Sequence, residues 1–315
     1  MTLPPIRIAV IGDVHDRWDD ADAAALQHLD VRLALFVGDF GNESVDVVRR
    51  IAELDLPKAV ILGNHDAWYT ATEWGRRKCP YDRTREDRFQ QQLDLLGHTH
   101  VGYNVLDFPE LGLSVVGSRP CSWGGATWKY GDFYQTRFGV SGFEASAQRI
   151  VDAARQAASN TLVFLGHSGP AGLGDAPEDP CGRDWHPLGG DFGDPDLTAA
   201  LVEVRRSGKA IPLVAFGHMH HSLRHTKTRL RRSIHEDETG TVYLNAACVP
   251  RSIEREGRVA SNFSIVTLEN GRVTDTTLVW VEGNGRVVSE IPYFNDRSFD
   301  RVSGVEYYRQ AVGNG

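Results

Sequence analysis

Eight side chains of this sequence are of types that bind metal ions or carry protons, and all stand in short polar clusters directly after a glycine. They are Asp13 and His15 in Gly12-Asp13-Val14-His15, Asp39 in Gly38-Asp39, Asn64 and His65 in Gly63-Asn64-His65-Asp66, His167 in Gly166-His167, and His218 and His220 in Gly217-His218-Met219-His220. The set offers only carboxylate, carboxamide and imidazole groups, which suit divalent ions of intermediate hardness. Manganese, iron and zinc all satisfy it, and ligand type alone does not choose among them. In an extended segment residues i and i+2 point the same way, so Asp13 with His15, and His218 with His220, are each expected to aim two side chains toward one side. A single Asp-x-His is weak support, and a lone histidine at a strand end is more often structural than a ligand. Five clusters with the same placement are hard to attribute to coincidence.

The elements that must position these groups follow from the hydrophobic pattern. Short β-branched runs alternate with helical ones: a strand at 6–11, a helix near 19–29, a strand at 33–37, a helix near 43–54 and a strand at 59–62. That order predicts βαβ crossovers and a largely parallel sheet. Each strand ends at one of the glycine clusters, and ligands collect beyond the carboxyl ends of strands in open α/β sheets. The stretch 67–139, dense in aromatic residues, breaks the rhythm and reads as an insertion. The rhythm resumes with a helix near 143–158, a strand at 161–165, a Gly, Pro and Asp-rich loop, a helix near 197–206 and a strand at 211–216. From 241 to 292 short β runs separated by turn signals predict a β-rich C-terminal part forming a second, more antiparallel sheet packed on the first. The last dozen residues are expected to fray. The whole chain, 1–315, is read as one domain.

Composition narrows the function. The chain has 315 residues, 41% hydrophobic and 24% charged, with a formal net charge of −8, so it reads as an ordinary globular protein and not as a nucleic-acid binder with a basic face. Small-molecule substrates fit better than nucleic acid. There is no apolar run of about 18 residues or more, so no membrane span is expected. The first residues lack a basic segment followed by an apolar one, and a cytoplasmic protein is the expectation. Cys79, Cys121, Cys181 and Cys248 are scattered without a CxxC pair, which argues against a zinc-thiolate cluster.

In order and character the five glycine clusters resemble the motifs of the calcineurin-like metallophosphoesterases. The resemblance spans residues 12 to 220 and implies an α/β fold, a four-layer αββα sandwich of two mixed sheets flanked by helices. It implies that Asp13, His15 and His220 bind one metal ion, that Asn64, His167 and His218 bind a second, and that Asp39 bridges both. His65 is then no ligand but a general acid or charge stabiliser near the leaving-group oxygen, oriented by a carboxylate for which Asp66 is the nearest candidate. A fainter resemblance, carried by Gly117-Ser118-Arg119-Pro120 and Cys181-Gly182-Arg183-Asp184-Trp185, is to a branch of these proteins found in cyanobacteria and plastids.

The chemistry so implied is hydrolysis of phosphomonoesters or phosphodiesters. Two divalent ions acidify water, deliver a metal-bound hydroxide to phosphorus and clamp the phosphoryl oxygens, while His65 protonates the departing oxygen. Arg119 follows a strand-like run and is a candidate to contact a substrate phosphate. Asp184, Trp185 and His186 are candidates to edge the pocket, and the basic stretch 224–232 is a candidate anion attractor. A nuclease is the weaker reading within the enzyme class, and a non-catalytic interaction module on the same fold is the alternative outside it.

Overall fold

The computed structural model of the chain describes residues 4–255 and 257–295. In chain order the first half runs β1 (Ile6–Ile11), α1 (Asp20–Gln27), β2 (Leu33–Phe36), α2 (Val45–Ala52), β3 (Lys58–Val60), α3 (Trp68–Ala71), α4 (Glu73–Lys78), α5 (Arg88–Leu96), β4 (Val105–Phe108), β5 (Leu113–Gly117), α6 (Gly131–Phe138) and α7 (Phe143–Gln156). It continues with β6 (Thr161–Leu165), α8 (Pro195–Arg206), β7 (Ala210–Phe216), β8 (Ile234–Glu236), β9 (Val242–Asn245), β10 (Ser252–Arg255), β11 (Arg258–Glu269), β12 (Arg272–Glu282) and β13 (Val287–Asn295).

The strands form two mixed sheets. One has the order β13-β12-β11-β1-β2-β3 with β10 paired to β11; the other has the order β4-β5-β6-β7-β9-β8. Strands β1, β2 and β3 are mutually parallel, as are β5, β6, β7 and β9. Alternation along each strand explains the layering. Ile6, Ile8 and Val10 of β1 pack with Leu33 and Leu35 against Val115, Val163, Leu213 and Leu244 of the other sheet. Ala9, Ile11 and Phe36 face the opposite way, onto Leu26 of α1 and Val48 and Ile51 of α2. Phe164, Val214 and Phe216 turn outward from the second sheet onto Ile150 of α7 and Leu197 and Leu201 of α8. Strands covered on both faces read as near-continuous apolar runs, which is why they stand out in the sequence. The result is the expected αββα sandwich.

Two expectations about its construction are corrected. The stretch 67–139 is not wholly an insertion, because β4 and β5 belong to the second sheet and β5 pairs in parallel with β6. Its aromatic density concealed them: Phe89, Phe133 and Tyr134 pack around the helices on either side. Nor do the strands after residue 241 make a sheet of their own. Strand β9 joins β7 in parallel, while β11 lies antiparallel along the free edge of β1 and carries β12 and β13 outward. Each sheet is thus extended by antiparallel strands, which cover edges that would otherwise stand open. The final dozen residues, expected to fray, lie outside the described residues.

Candidate metal centre

All five glycine clusters lie at the C-terminal ends of β1, β2, β3, β6 and β7, and the two sheets bring these ends together. Gly63 and Gly217 permit the closeness. A Cβ on Gly63 would stand 2.3 Å from Asp39 Oδ1 and 2.6 Å from His167 Cε1, and one on Gly217 would stand 2.4 Å from Asp13 Oδ1. Strand alternation is not what aims the paired residues. Asp13, His15, Asp39 and His218 have positive φ values of 33°, 44°, 55° and 69°, so the chain turns sharply at each of them. Left-handed backbone at residues other than glycine is strained, and it gathers here at the site.

Three overlapping clusters result, each with its candidate ligand atoms within 4.8 Å of one another: Asp13, His15 and His220; His15, Asp39 and His65; and Asp39, His167 and His218. In the first, His15 Nε2 and His220 Nε2 face each other across 3.1 Å, and Asp13 Oδ2 lies 3.1 Å from His220 Nε2. Asp13 Oδ2 is buried and lacks an aligned hydrogen-bond donor. In the third, His167 Nδ1 meets the Val37 carbonyl at 2.7 Å, so that nitrogen carries the proton. The Nε2 lone pair then faces Asn64 Oδ1 at 2.9 Å and Asp39 Oδ1 at 3.3 Å. Converging lone pairs with few donors between them are the chemistry of a cation site, and a carbonyl holding the far nitrogen of a histidine is a common second support of a metal ligand. The donor set therefore fits divalent metal ions.

The charges of the site are tightly linked. Burial works to raise the Asp13 carboxyl, but the contact with His220, aided by the other imidazoles around it, outweighs burial and holds it below the usual carboxylate range. Asp39 is also lowered, burial being overcome chiefly by His167 and His65. Burial pushes His218 down to about 3, with His167 adding to the effect. Burial would lower His220 too, but Asp13 raises it above the ordinary imidazole value.

His65 is held from three sides. Its Nδ1 meets Asn42 Oδ1 at 2.7 Å, its ring stacks on Trp68 at 5.0 Å with 10° between planes, and the His15 ring stands edge-on at 5.1 Å. With the Asn42 carbonyl as acceptor, Nδ1 carries the proton and Nε2 is left for other work. Burial pushes His65 below the usual imidazole value, against the pull of Asp39.

The expected role of Asp66 is corrected. Its carboxylate accepts backbone N–H groups from Gly63 at 2.6 Å, Asp39 at 2.9 Å and Phe40 at 2.9 Å, so it fastens the loops and does not orient His65. A side chain two bonds long, in the turn that begins at Asn64, reaches back to the amides behind it more readily than forward to the ring of its neighbour. Asn42 escaped the sequence reading, whereas Trp68 entered it only as one of the aromatic residues of the 67–139 stretch that could wall a pocket; the signal for Asn42 was a polar residue three positions after Asp39 in the same strand-end loop.

Arg119 is corrected as well. It is only 3% exposed, paired with Asp194 at 2.6 Å and Asp196 at 2.9 Å, and its guanidinium packs among Trp128, Tyr134 and Phe143. Its forks are committed inside the protein. Within the basic stretch, Arg229 pairs with Glu178, Arg231 with Asp184 and Arg232 with Asp179. Arg231 also donates to the carbonyls of His220, Pro177, Asp179 and Gly182, so much of this stretch is a structural clasp. Asp184 belongs to that clasp, whereas Trp185 packs edge-to-face on Phe192 at 4.9 Å.

The comparisons with known proteins agree with this architecture. The family model described as calcineurin-like phosphoesterase matches residues 6–222, more than half of the chain, and the chain belongs to that family. One solved structure aligns with a TM-score of 0.51 and 10% identity, over 87% of this chain and 98% of its own. A protein from Thermus thermophilus, TT1561, aligns at 0.47 with 10% identity, over 84% and 99%, and a dimetal phosphatase from Danio rerio at 0.43 with 14% identity, over 92% and 99%. Among curated proteins none matches. No helix among the described residues is long and apolar enough to cross a membrane.

Two measurements follow from this geometry. Arg119→Ala leaves two buried carboxylates without their partner, so it should lower unfolding stability by about 3–5 kcal/mol, read by chemical denaturation, without a selective rise in KM. Histidine must be neutral to bind metal, and His220 keeps its proton to higher pH than His218. As pH falls from neutral, elemental analysis after dialysis should therefore find metal leaving the Asp13, His15 and His220 cluster first, as a separate step.

Proposed function

We propose that this chain is a dinuclear metal-dependent phosphoesterase that hydrolyses phosphomonoesters or phosphodiesters of small molecules. The observation that carries the reading is the sharing of Asp39 between two clusters, one reaching His15 and the other reaching His167 and His218. In this reading Asp13, His15 and His220 hold one ion, Asn64, His167 and His218 hold the other, and Asp39 serves both. When bound, the pair of cations supplies an acidified water and positive charge opposite the phosphoryl oxygens. Manganese, iron and zinc remain equivalent for this donor set.

The protein's own contribution is placement and proton transfer. Asp39 donates its backbone N–H to Asp66, and its carboxylate accepts the backbone N–H of His65 at 2.9 Å, so the carboxylate common to both ion sites sits on two fixed loops. His65 approaches the centre without a place in either outer ligand set. Its Nδ1–H is held by Asn42 and its ring is clamped by Trp68, which leaves Nε2 available; in the imidazolium form that nitrogen gives its proton to the departing alkoxide and the ring returns to the neutral Nδ1–H form. In this arrangement Asn42 is the positioning partner that sequence reasoning assigned to Asp66. An amide partner orients the ring without adding negative charge, in keeping with the depressed basicity of His65.

Asp39→Asn should abolish turnover of an aryl phosphomonoester and of an aryl phosphodiester and reduce bound metal at both sites; full activity with two retained equivalents would overturn the reading. His65→Ala should keep its metal but lose roughly 10²–10⁴-fold in kcat, with a steeper dependence on leaving-group pKa than the parent protein. A flat leaving-group dependence in both proteins would remove His65 from the role of acid.

A further inference from the structure

The loop between β6 and α8 and its surroundings carry three cations that form no ion pair among the described residues. Lys129 Nζ and the Arg183 guanidinium each lie 5.6 Å from the Phe192 ring centre, and the Arg224 guanidinium lies 5.5 Å from the centre of Trp185. Trp185 and Phe192 are themselves packed edge to face. Among the described residues none of these three side chains forms an ion pair or a hydrogen bond, and Arg183 Nε is buried in addition. The contrast with the nearby Arg229, Arg231 and Arg232 is complete, since each of those has a carboxylate. The acidic groups close by are committed: Asp191 accepts the N–H groups of Gly172 and Gly193, and Asp184 accepts the Arg224 backbone N–H while facing Arg231. In a chain of net charge −8, three uncompensated cations on one pair of rings are a local excess of positive charge.

The cluster adjoins the metal centre from two directions. The Phe192 carbonyl accepts the Gly125 N–H at 2.8 Å and lies 3.5 Å from the hydroxyl of Ser168, the residue after His167. Arg224 is four residues beyond His220, and Arg231, which holds Asp184, also donates to the His220 carbonyl at 2.9 Å. A buried guanidinium nitrogen without an acceptor costs free energy that a ligand oxygen would recover, and aromatic faces preorganise the cations at little entropic cost.

We infer that Lys129, Arg183 and Arg224, seated on Trp185 and Phe192, form an anion subsite beside the metal centre that receives a second phosphate of the substrate. Guanidinium forks match phosphate oxygens in pairs, and a half-buried ammonium adds charge without directional demand. The assignment of a substrate with two phosphates rests on the phosphoesterase reading, whereas anion binding at the subsite does not.

The test uses the full chain and two nucleotides, adenosine 5′-monophosphate and adenosine 3′,5′-bisphosphate. Binding is measured by calorimetry on the metal-loaded chain carrying His65→Ala, the parent for this test, which slows turnover while one phosphate is held at the metal centre and the other is free to reach the subsite. The parent protein should bind the bisphosphate about tenfold or more tightly than the monophosphate. Arg183→Gln combined with Arg224→Gln should erase that ratio, and Arg229→Gln, which removes a paired charge from the same stretch, should preserve it. Should the double variant not fold by circular dichroism, Arg224→Gln and the half-buried Lys129→Met are read singly, each lowering the ratio. Equal binding of both nucleotides by the parent, or a preference that survives these substitutions, would overturn the subsite. Activity with His65 in place separates the two readings. Turnover of an aryl phosphate without bisphosphate preference removes the subsite and leaves the phosphoesterase, while preference without any turnover does the reverse.

Discussion

One buried carboxylate holds together the part of the molecule on which everything else depends. Asp66 accepts three backbone N–H groups, from Gly63, Asp39 and Phe40, and so ties the loop after β2 to the loop after β3. Burial and the neighbouring charge of Asp39 push its carboxyl upward, and the three amides draw it back; the net effect is upward. The cost of that burial is offset by three backbone hydrogen bonds that span both loops, beside which the His65 N–H to Asp39 contact acts in the same sense. Gln92 of α5 adds a hydrogen bond to the Asp66 carbonyl at 2.8 Å, anchoring the joint from outside the sheet. With the two loops locked, Asp39 can sit in a left-handed turn that an unsupported chain would relax.

The second sheet is braced in a different way. Arg119, after β5, spans to Asp194 and Asp196 at the start of α8, and Ser122 donates to Asp194 at 2.7 Å. Burial opposes the charge on Arg119, but Asp194 and Asp196 hold the guanidinium protonated. This network closes the back of the loop that begins at His167. A buried ion pair is a weak contributor to net stability, yet it tolerates few alternative arrangements, and here it joins a strand end, a loop and a helix start.

Between these two braces the site combines rigid ligands with an aromatic and cationic rim. Trp68 serves both as a wall and as a clamp for His65, and Trp74, 54% exposed, stands edge-on to it at 5.9 Å. On the side of His167 and His220 the rim is Trp185 and Phe192 with their cations. The negative charge needed to hold metal ions is thus concentrated in Asp13 and Asp39, while positive charge is gathered beside them, a separation that suits an anionic ligand.

The βαβ order and the eight polar groups at its strand ends were legible in the sequence, and the four-layer sandwich followed from the family resemblance. Buried strands are continuous apolar runs of few residues, and glycine followed by Asp, Asn or His marks the turn where such a run leaves the sheet. That pattern placed Asp13, His15, Asp39, Asn64, His65, His167, His218 and His220 at strand ends, while their division into two ligand sets and an acid was what the family resemblance implied. What only tertiary structure decided is who meets whom across long distances in the chain. Asp66 turned toward amides, Asn42 took the imidazole, and Arg119 found two aspartates more than seventy residues away. Strands β4 and β5 entered the second sheet, and β11 to β13 completed the first. The reason is physical: period and turn chemistry are local properties of a chain, but the partner of a charged or hydrogen-bonding side chain is chosen by burial, which no local pattern encodes.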